Sequence, residues 1–164
     1  MLTPKISGRW IGYYEYGESY PQSLQGKRTN FVLNLKETAG EFSGECIDIS
    51  ENNKINPAAE IKGFVNENLI SFIKQYSYQL FIHDDGRREA DYYNTHPEIE
   101  YTGYFDENTN KYTGEWSMVI KNILTKHDYS LVNLYSESVA NDESESRMSV
   151  KEYFSSGIWE MERE

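Results

Sequence analysis

Lys74 stands two residues after Phe72 and two before Tyr76, so strand spacing puts Ile70, Phe72, Lys74 and Tyr76 on one face. Asp48 shares its face with Phe42, Gly44 and Cys46 in an earlier segment. A charge among aromatic rings is costly unless it is paired or wet. These residues allow two roles. Lys74 and Asp48, with Tyr76 and Tyr101, could anchor the polar head group of a ligand, or they could form a satisfied structural pair. A slip of one residue in register would instead turn Lys74 out to solvent. Tyr14, Phe72 and Trp116 complete the set of candidate ligand-binding residues. A second group is His83, Asp84, Asp85 and His96, with Glu98 just beyond. Imidazole and carboxylate ligate zinc or exchange protons, but no helix or cysteine pair fixes their spacing, and no metal site or cofactor is expected. His127 is isolated and reads as a surface residue. Cys46 has no histidine near it in sequence to activate the thiol, and it reads as a small buried hydrophobe. Glycine-rich phosphate loops, the Gly-x-Ser-x-Gly elbow and His-Glu-x-x-His do not occur, so nucleotide binding and the common hydrolase mechanisms lack support.

Period-two alternation recurs along the chain, the pattern of half-buried strands. Residues 8–17 place Trp10, Gly12, Tyr14 and Tyr16 on one face. Phe31, Leu33 and Leu35 alternate with Asn30, Asn34 and Lys36, and residues 41–49 follow across Thr38-Ala39-Gly40, where glycine supplies a positive φ. Ile61, Gly63 and Val65 form a fourth strand. A tight turn at Glu67-Asn68 pairs Val65 with Ile70, whereas a three-residue turn would select Leu69, Ser71 and Ile73. Further strands carry Tyr101, Gly103 and Phe105, then Tyr112, Gly114, Trp116 and Met118, and a short last strand spans residues 157–161. Asp85-Gly86 could close a local hairpin between residues 78–82 and 88–92. Residues 129–135 could add a strand, and the charged residues 141–154 could form a short helix. The expected fold is all-β: one domain over residues 1–164, an eight-stranded antiparallel up-and-down meander barrel with two long loop excursions.

Composition narrows the function classes. With 27 acidic and 16 basic residues the formal net charge is -11, a field that repels nucleic acid and anionic lipid and favours a basic partner. The single cysteine excludes an intrachain disulfide framework. With no apolar run at the start and none long enough to span a bilayer, a reducing, cytoplasmic setting is expected. The 14 tyrosines suit sheet surfaces and half-wet cavities better than a dry helical core.

Glycine followed two residues later by an aromatic recurs at Gly8-Arg9-Trp10, Gly12-Tyr13-Tyr14, Gly103-Tyr104-Phe105, Gly114-Glu115-Trp116 and Gly157-Ile158-Trp159. On a strand the two share a face, and the glycine makes room for a ring from across a narrow barrel. The opening Ile6-Ser7-Gly8-Arg9-Trp10 resembles the first-strand Gly-x-Trp of the calycin barrels, the group of avidins, lipocalins and fatty-acid-binding proteins. The resemblance implies an up-and-down barrel with a ligand site in its mouth. It also implies that Arg163 matches the arginine that caps the lipocalin tryptophan from the last strand. It does not imply biotin. Gly12 stands where avidin-type barrels carry a biotin-binding asparagine, and Cys46 and Asp48 stand where they carry tyrosine and serine.

The expected function is that of a non-enzymatic barrel binding a small amphipathic or aromatic molecule in a tyrosine- and tryptophan-lined mouth. An eight-stranded barrel has room for about one such ligand, or for its own side chains alone. If Trp10, Phe42, Phe72, Trp116 and Trp159 fill the lumen, the alternative is a protein-interaction module whose acidic stretch Asp142-Glu143-Ser144-Glu145 meets a basic partner. A third reading is an enzyme using the loop histidines and carboxylates, or Asp48 with Tyr101.

Overall fold

A computed structural model describes residues 4–49, 57–83, 85–124 and 149–164, with backbone alone for Phe81, 120–124 and 149–153. Alternation becomes ten strands: β1 Gly8–Tyr16, β2 Arg28–Thr38, β3 Glu41–Ile49, β4 Ala59–Asn66, β5 Leu69–Gln75, β6 Gln79–Ile82, β7 Arg88–Asp91, β8 Ile99–Asp106, β9 Lys111–Leu124 and β10 Ser149–Arg163. Eight close into a barrel in the order β1-β10-β9-β8-β5-β4-β3-β2, and β6 and β7 form a separate two-stranded sheet. All pairings are antiparallel between neighbours, with β1 closing on β10. This is the up-and-down barrel that the calycin resemblance implies.

Turn chemistry sets the register. Thr38 pairs with Glu41 around Ala39 and Gly40, at φ 54° and 83°, and two successive positive φ values match the strand twist in a two-residue hairpin. Glu67, at φ 54°, turns the chain so that Val65 pairs with Ile70. That choice sends Ile70, Phe72 and Lys74 inward, and all three are buried.

The lower end is packed shut. Trp10 donates its indole N–H to the Ile6 carbonyl at 2.8 Å and meets Tyr112 edge-on. Arg163 lies over the Trp10 ring, 5.7 Å from its centre, while its guanidinium donates to the carbonyls of Lys5 (3.1 Å) and Ser7 (2.5 Å). The arginine cap therefore stands where the resemblance puts it. Above, Phe42, Phe72, Tyr101 and Trp159 fill the middle of the lumen.

The glycine–aromatic pattern also has a physical basis. Trp116 lies across Gly157, its register partner, and donates to the Glu15 carbonyl on the next strand at 3.0 Å. A Cβ on Gly157 would come within 1.8 Å of the Glu15 oxygen and 2.5 Å of the Trp116 indole nitrogen.

The C-terminal strands depart from expectation. The last strand is not a short one over residues 157–161: β10 runs from Ser149 to Arg163, pairing with β9 up to Ser149 opposite Leu124. Residues 149–154 are thus strand, not helix, while 141–148 and the possible strand 129–135 lie outside the described residues. Pairing to β8 ends at Met118 and pairing to β1 ends at Gly157. Past those points β9 and β10 form a two-stranded ribbon. There the ladder satisfies the backbone, and residues 149–156, Ser-Val-Lys-Glu-Tyr-Phe-Ser-Ser, lack the strict period-two alternation that would mark a strand in the sequence.

Candidate functional site

The upper half of the barrel differs from the lower. Register places Tyr14 of β1 opposite Thr29 of β2, Phe31 opposite Asp48 of β3, and Ile61 of β4 opposite Lys74 of β5. Tyr76 follows β5 directly. Alternation turns Tyr14, Tyr16, Thr29, Asp48, Lys74 and Tyr76 toward one another, and all six are buried.

Asp48 is the hub. Lys74 Nζ donates to its Oδ1 at 2.7 Å, with each side chain 2% exposed. Cys46 Sγ leans on the same oxygen at 3.8 Å. Oδ2 accepts from Tyr14 Oη at 3.3 Å, from Tyr76 Oη, and from Arg88 Nη1 at 3.3 Å. The Lys74 ammonium also lies 4.8 Å from the ring centres of both Tyr14 and Tyr76, within cation–π range. Lys74 and Asp48 thus form an ion pair on the inner face of the barrel.

Burial pushes the Asp48 carboxyl up, but the Lys74 and Arg88 charges and the hydrogen bonds from Lys74 and Tyr76 reverse this and hold it below the usual carboxylate range. Burial likewise opposes the Lys74 charge, and Asp48 outweighs it, leaving the ammonium pKa raised. Tyr14 and Tyr76 are raised by burial and by the Asp48 charge. Burial pushes the Cys46 thiol up to about 12, which leaves it without nucleophilic thiolate near neutrality. At neutral pH the cluster holds an ion pair and protonated phenols.

Arg88 enters from outside the barrel. It opens β7, opposite Ile82, so it shares the inward face of the hairpin with Leu80 and Ile82. Its Nη2 donates to Tyr14 Oη at 2.6 Å, Tyr16 Oη at 3.2 Å and Thr29 Oγ1 at 2.8 Å. The hairpin turn at His83–Arg87 is held by hydrogen bonds from His83 N to Arg87 O and from Gly86 N to His83 O, with Gly86 at φ 84°.

Beneath the hairpin is a cavity of about 30 Å³, walled by Tyr14, Tyr16, Tyr20, Tyr76, Tyr101 and Trp116 and bounded by Leu80, Ile82, His96, Ile99 and Met118. That volume holds a water or two. Of the seven candidate residues, Tyr14, Tyr76, Tyr101 and Trp116 line it. Asp48 and Lys74 lie behind Tyr14 and Tyr76. Phe72 lies deeper, stacked on Tyr101 at 4.7 Å. Arg88, Tyr16, Tyr20 and Thr29 were not singled out by sequence. For Arg88, the available signal was the hairpin register, which aligns it with Ile82.

Among the described residues the histidine–carboxylate group does not converge. His83 pairs with Glu89 at 2.9 Å, Asp85 with Arg87 at 2.5 Å, and buried His96 donates from Nδ1 to the Pro97 carbonyl at 2.9 Å. Burial lowers the His96 pKa to about 4, so it is neutral. Asp84, His127 and the acidic stretch 142–145 lie outside the described residues. Among the described residues no three His, Cys, Asp or Glu side chains are placed to hold a metal ion.

No protein-family model and no curated protein matches the chain. Among solved structures it is similar to that of a rhizavidin–biotin complex, at 14% sequence identity and a TM-score of 0.42, over 94% of this chain and 92% of that one.

Proposed function

We propose that this protein binds a small amphipathic or aromatic molecule in the upper half of its barrel, beneath the β6–β7 hairpin. One observation carries the reading. One buried cluster of side chains fills the lumen, and in its upper half it leaves a small tyrosine- and tryptophan-walled chamber roofed by a hairpin outside the barrel sheet. Such a wall offers flat apolar contact with polar tips, the composition of a small-molecule site. The hairpin strands have four residues each, and Leu80, Ile82 and Arg88 tie them to the barrel. The hairpin makes no backbone ladder to the barrel, so it can open without breaking the barrel sheet.

The chamber is too small for a ring-bearing ligand while the hairpin is down, so binding requires the hairpin to lift. Native mass spectrometry of freshly purified protein should show a defined mass increment that disappears on denaturation. A mass equal to that of the chain alone, together with no rise in melting temperature across a panel of small aromatic amphiphiles, overturns the proposal.

A further inference from the structure

We propose that the mouth recognises a planar cationic head group, a guanidinium or an amidinium, and that Arg88 is an internal stand-in for it which the ligand displaces. This rests on the binding reading above and names its ligand class. The oxygens that meet the Arg88 fork are Asp48 Oδ2, Tyr14 Oη, Tyr16 Oη and Thr29 Oγ1. All four stand on barrel strands β1, β2 and β3, and none on the hairpin that carries Arg88. The acceptors are therefore built into the rigid wall, and the donor is mounted on the movable cover.

When the hairpin lifts, Tyr14 Oη, Tyr16 Oη and Thr29 Oγ1 each lose the donor that Arg88 supplies. Tyr14 Oη keeps its bond to Asp48, and Tyr16 Oη and Thr29 Oγ1 keep the one between them at 3.5 Å, so what opens is the acceptor capacity that Arg88 fills, and a ligand offering the same fork fills it again. A planar fork of N–H donors fits these oxygens in a way that a compact ammonium does not.

Charge favours the same class. Lys74 and Asp48 cancel, so with Arg88 withdrawn the buried cluster is neutral and is faced by the rings of Tyr14 and Tyr76, which already attract one cation. The net charge of -11 draws cations toward the molecule and repels anions. An anion would also find the Lys74 ammonium sealed behind Asp48, at 1% exposure. The Tyr20 ring, 4.8 Å from that of Tyr16 and 6.1 Å from that of Trp116, joins them in an aromatic wall for the rest of the ligand.

Benzamidine, benzamide and benzoate have one size and one ring but differ in charge and donors, and calorimetry of each against wild type and Arg88→Gln separates the possibilities. Benzamidine should bind wild type, and should bind Arg88→Gln at least about tenfold more tightly, because the variant no longer fills the site from within. Benzamide should be at least about tenfold weaker than benzamidine on both proteins, and benzoate should not bind. If benzamide or benzoate binds as well as benzamidine, the chamber is a ligand site but the head-group assignment is wrong. If Arg88→Gln gains nothing, Arg88 is not the competitor. If none of the three binds and the purified protein carries no mass increment, the binding reading falls as well. Should Arg88→Gln fail to fold, wild type decides: saturating benzamidine should speed amide exchange in β6 and β7 by about tenfold or more, and unchanged exchange overturns the displacement.

Discussion

At the scale of single residues, Asp48 allocates its two oxygens to different tasks. Oδ1 holds Lys74, a fixed partner on the barrel wall, and Oδ2 faces the two phenols and the arginine of the hairpin. A buried pair of this kind contributes little net stability, but removing one partner leaves the other as an uncompensated charge. Lys74→Met should therefore cost about 3–5 kcal/mol in urea unfolding, toward the lower end because Arg88 still reaches Asp48. A loss below about 1 kcal/mol, the size seen at exposed pairs, would show that the pair is not desolvated. Cys46, beside the same carboxylate, is a packing residue whose thiol stays protonated.

At the scale of elements, the barrel wall and the hairpin are held by different physics. The wall closes because β1 and β10 approach each other through Gly157, where the Trp116 indole passes over a backbone with no side chain. Gly157→Ala would drive a methyl group into the Glu15 carbonyl, backbone that cannot step aside as a side chain can. It should cost about 3 kcal/mol or more, the upper range for overpacking, and lower the melting temperature accordingly. A melting temperature equal to that of wild type would mean that the strands close without this contact. The hairpin has no such ladder to the barrel: Leu80, Ile82 and the hydrogen bonds of Arg88 hold it down, so it can lift without breaking the barrel sheet.

At the scale of the whole molecule, acid sensitivity follows from buried groups that cannot take up protons. His96 is held neutral in the folded state, with its pKa near 4, against an ordinary value of 6.5. The unfolded chain binds that proton first, so stability is complete above pH 6.5 and declines as pH falls toward 4, by about 3 kcal/mol in all. Asp48, whose pKa is lowered, acts in the same direction further into acid, its stabilisation being present above the ordinary carboxylate range and lost as pH falls through and below it. Unfolding free energy should thus drop between pH 6.5 and 4 in wild type, and His96→Phe should flatten that part of the curve. A variant with the same slope as wild type would remove His96 as its cause.

The alternation of Phe31, Leu33 and Leu35, and of Ile70, Phe72, Lys74 and Tyr76, was enough to mark strands, because side-chain direction in a strand depends only on parity, but whether Ile70, Phe72 and Lys74 or Leu69, Ser71 and Ile73 face inward was decided by the pairing of Val65 with Ile70. Short turns at Ala39-Gly40 and Glu67-Asn68 determined neighbours, and a run of such neighbours determines a meander. The bond between Lys74 and Asp48, 26 residues apart, required β3, β4 and β5 to pair in one register. The strand identity of residues 149–156 depended on β9 lying alongside, since a two-stranded ribbon gains its hydrogen bonds from its partner and not from its own pattern. Arg88 was the least legible of all. Its place in the mouth depends on how a detached hairpin folds over the barrel, and no periodicity within four residues of β7 encodes a contact with oxygens 40 to 74 positions away.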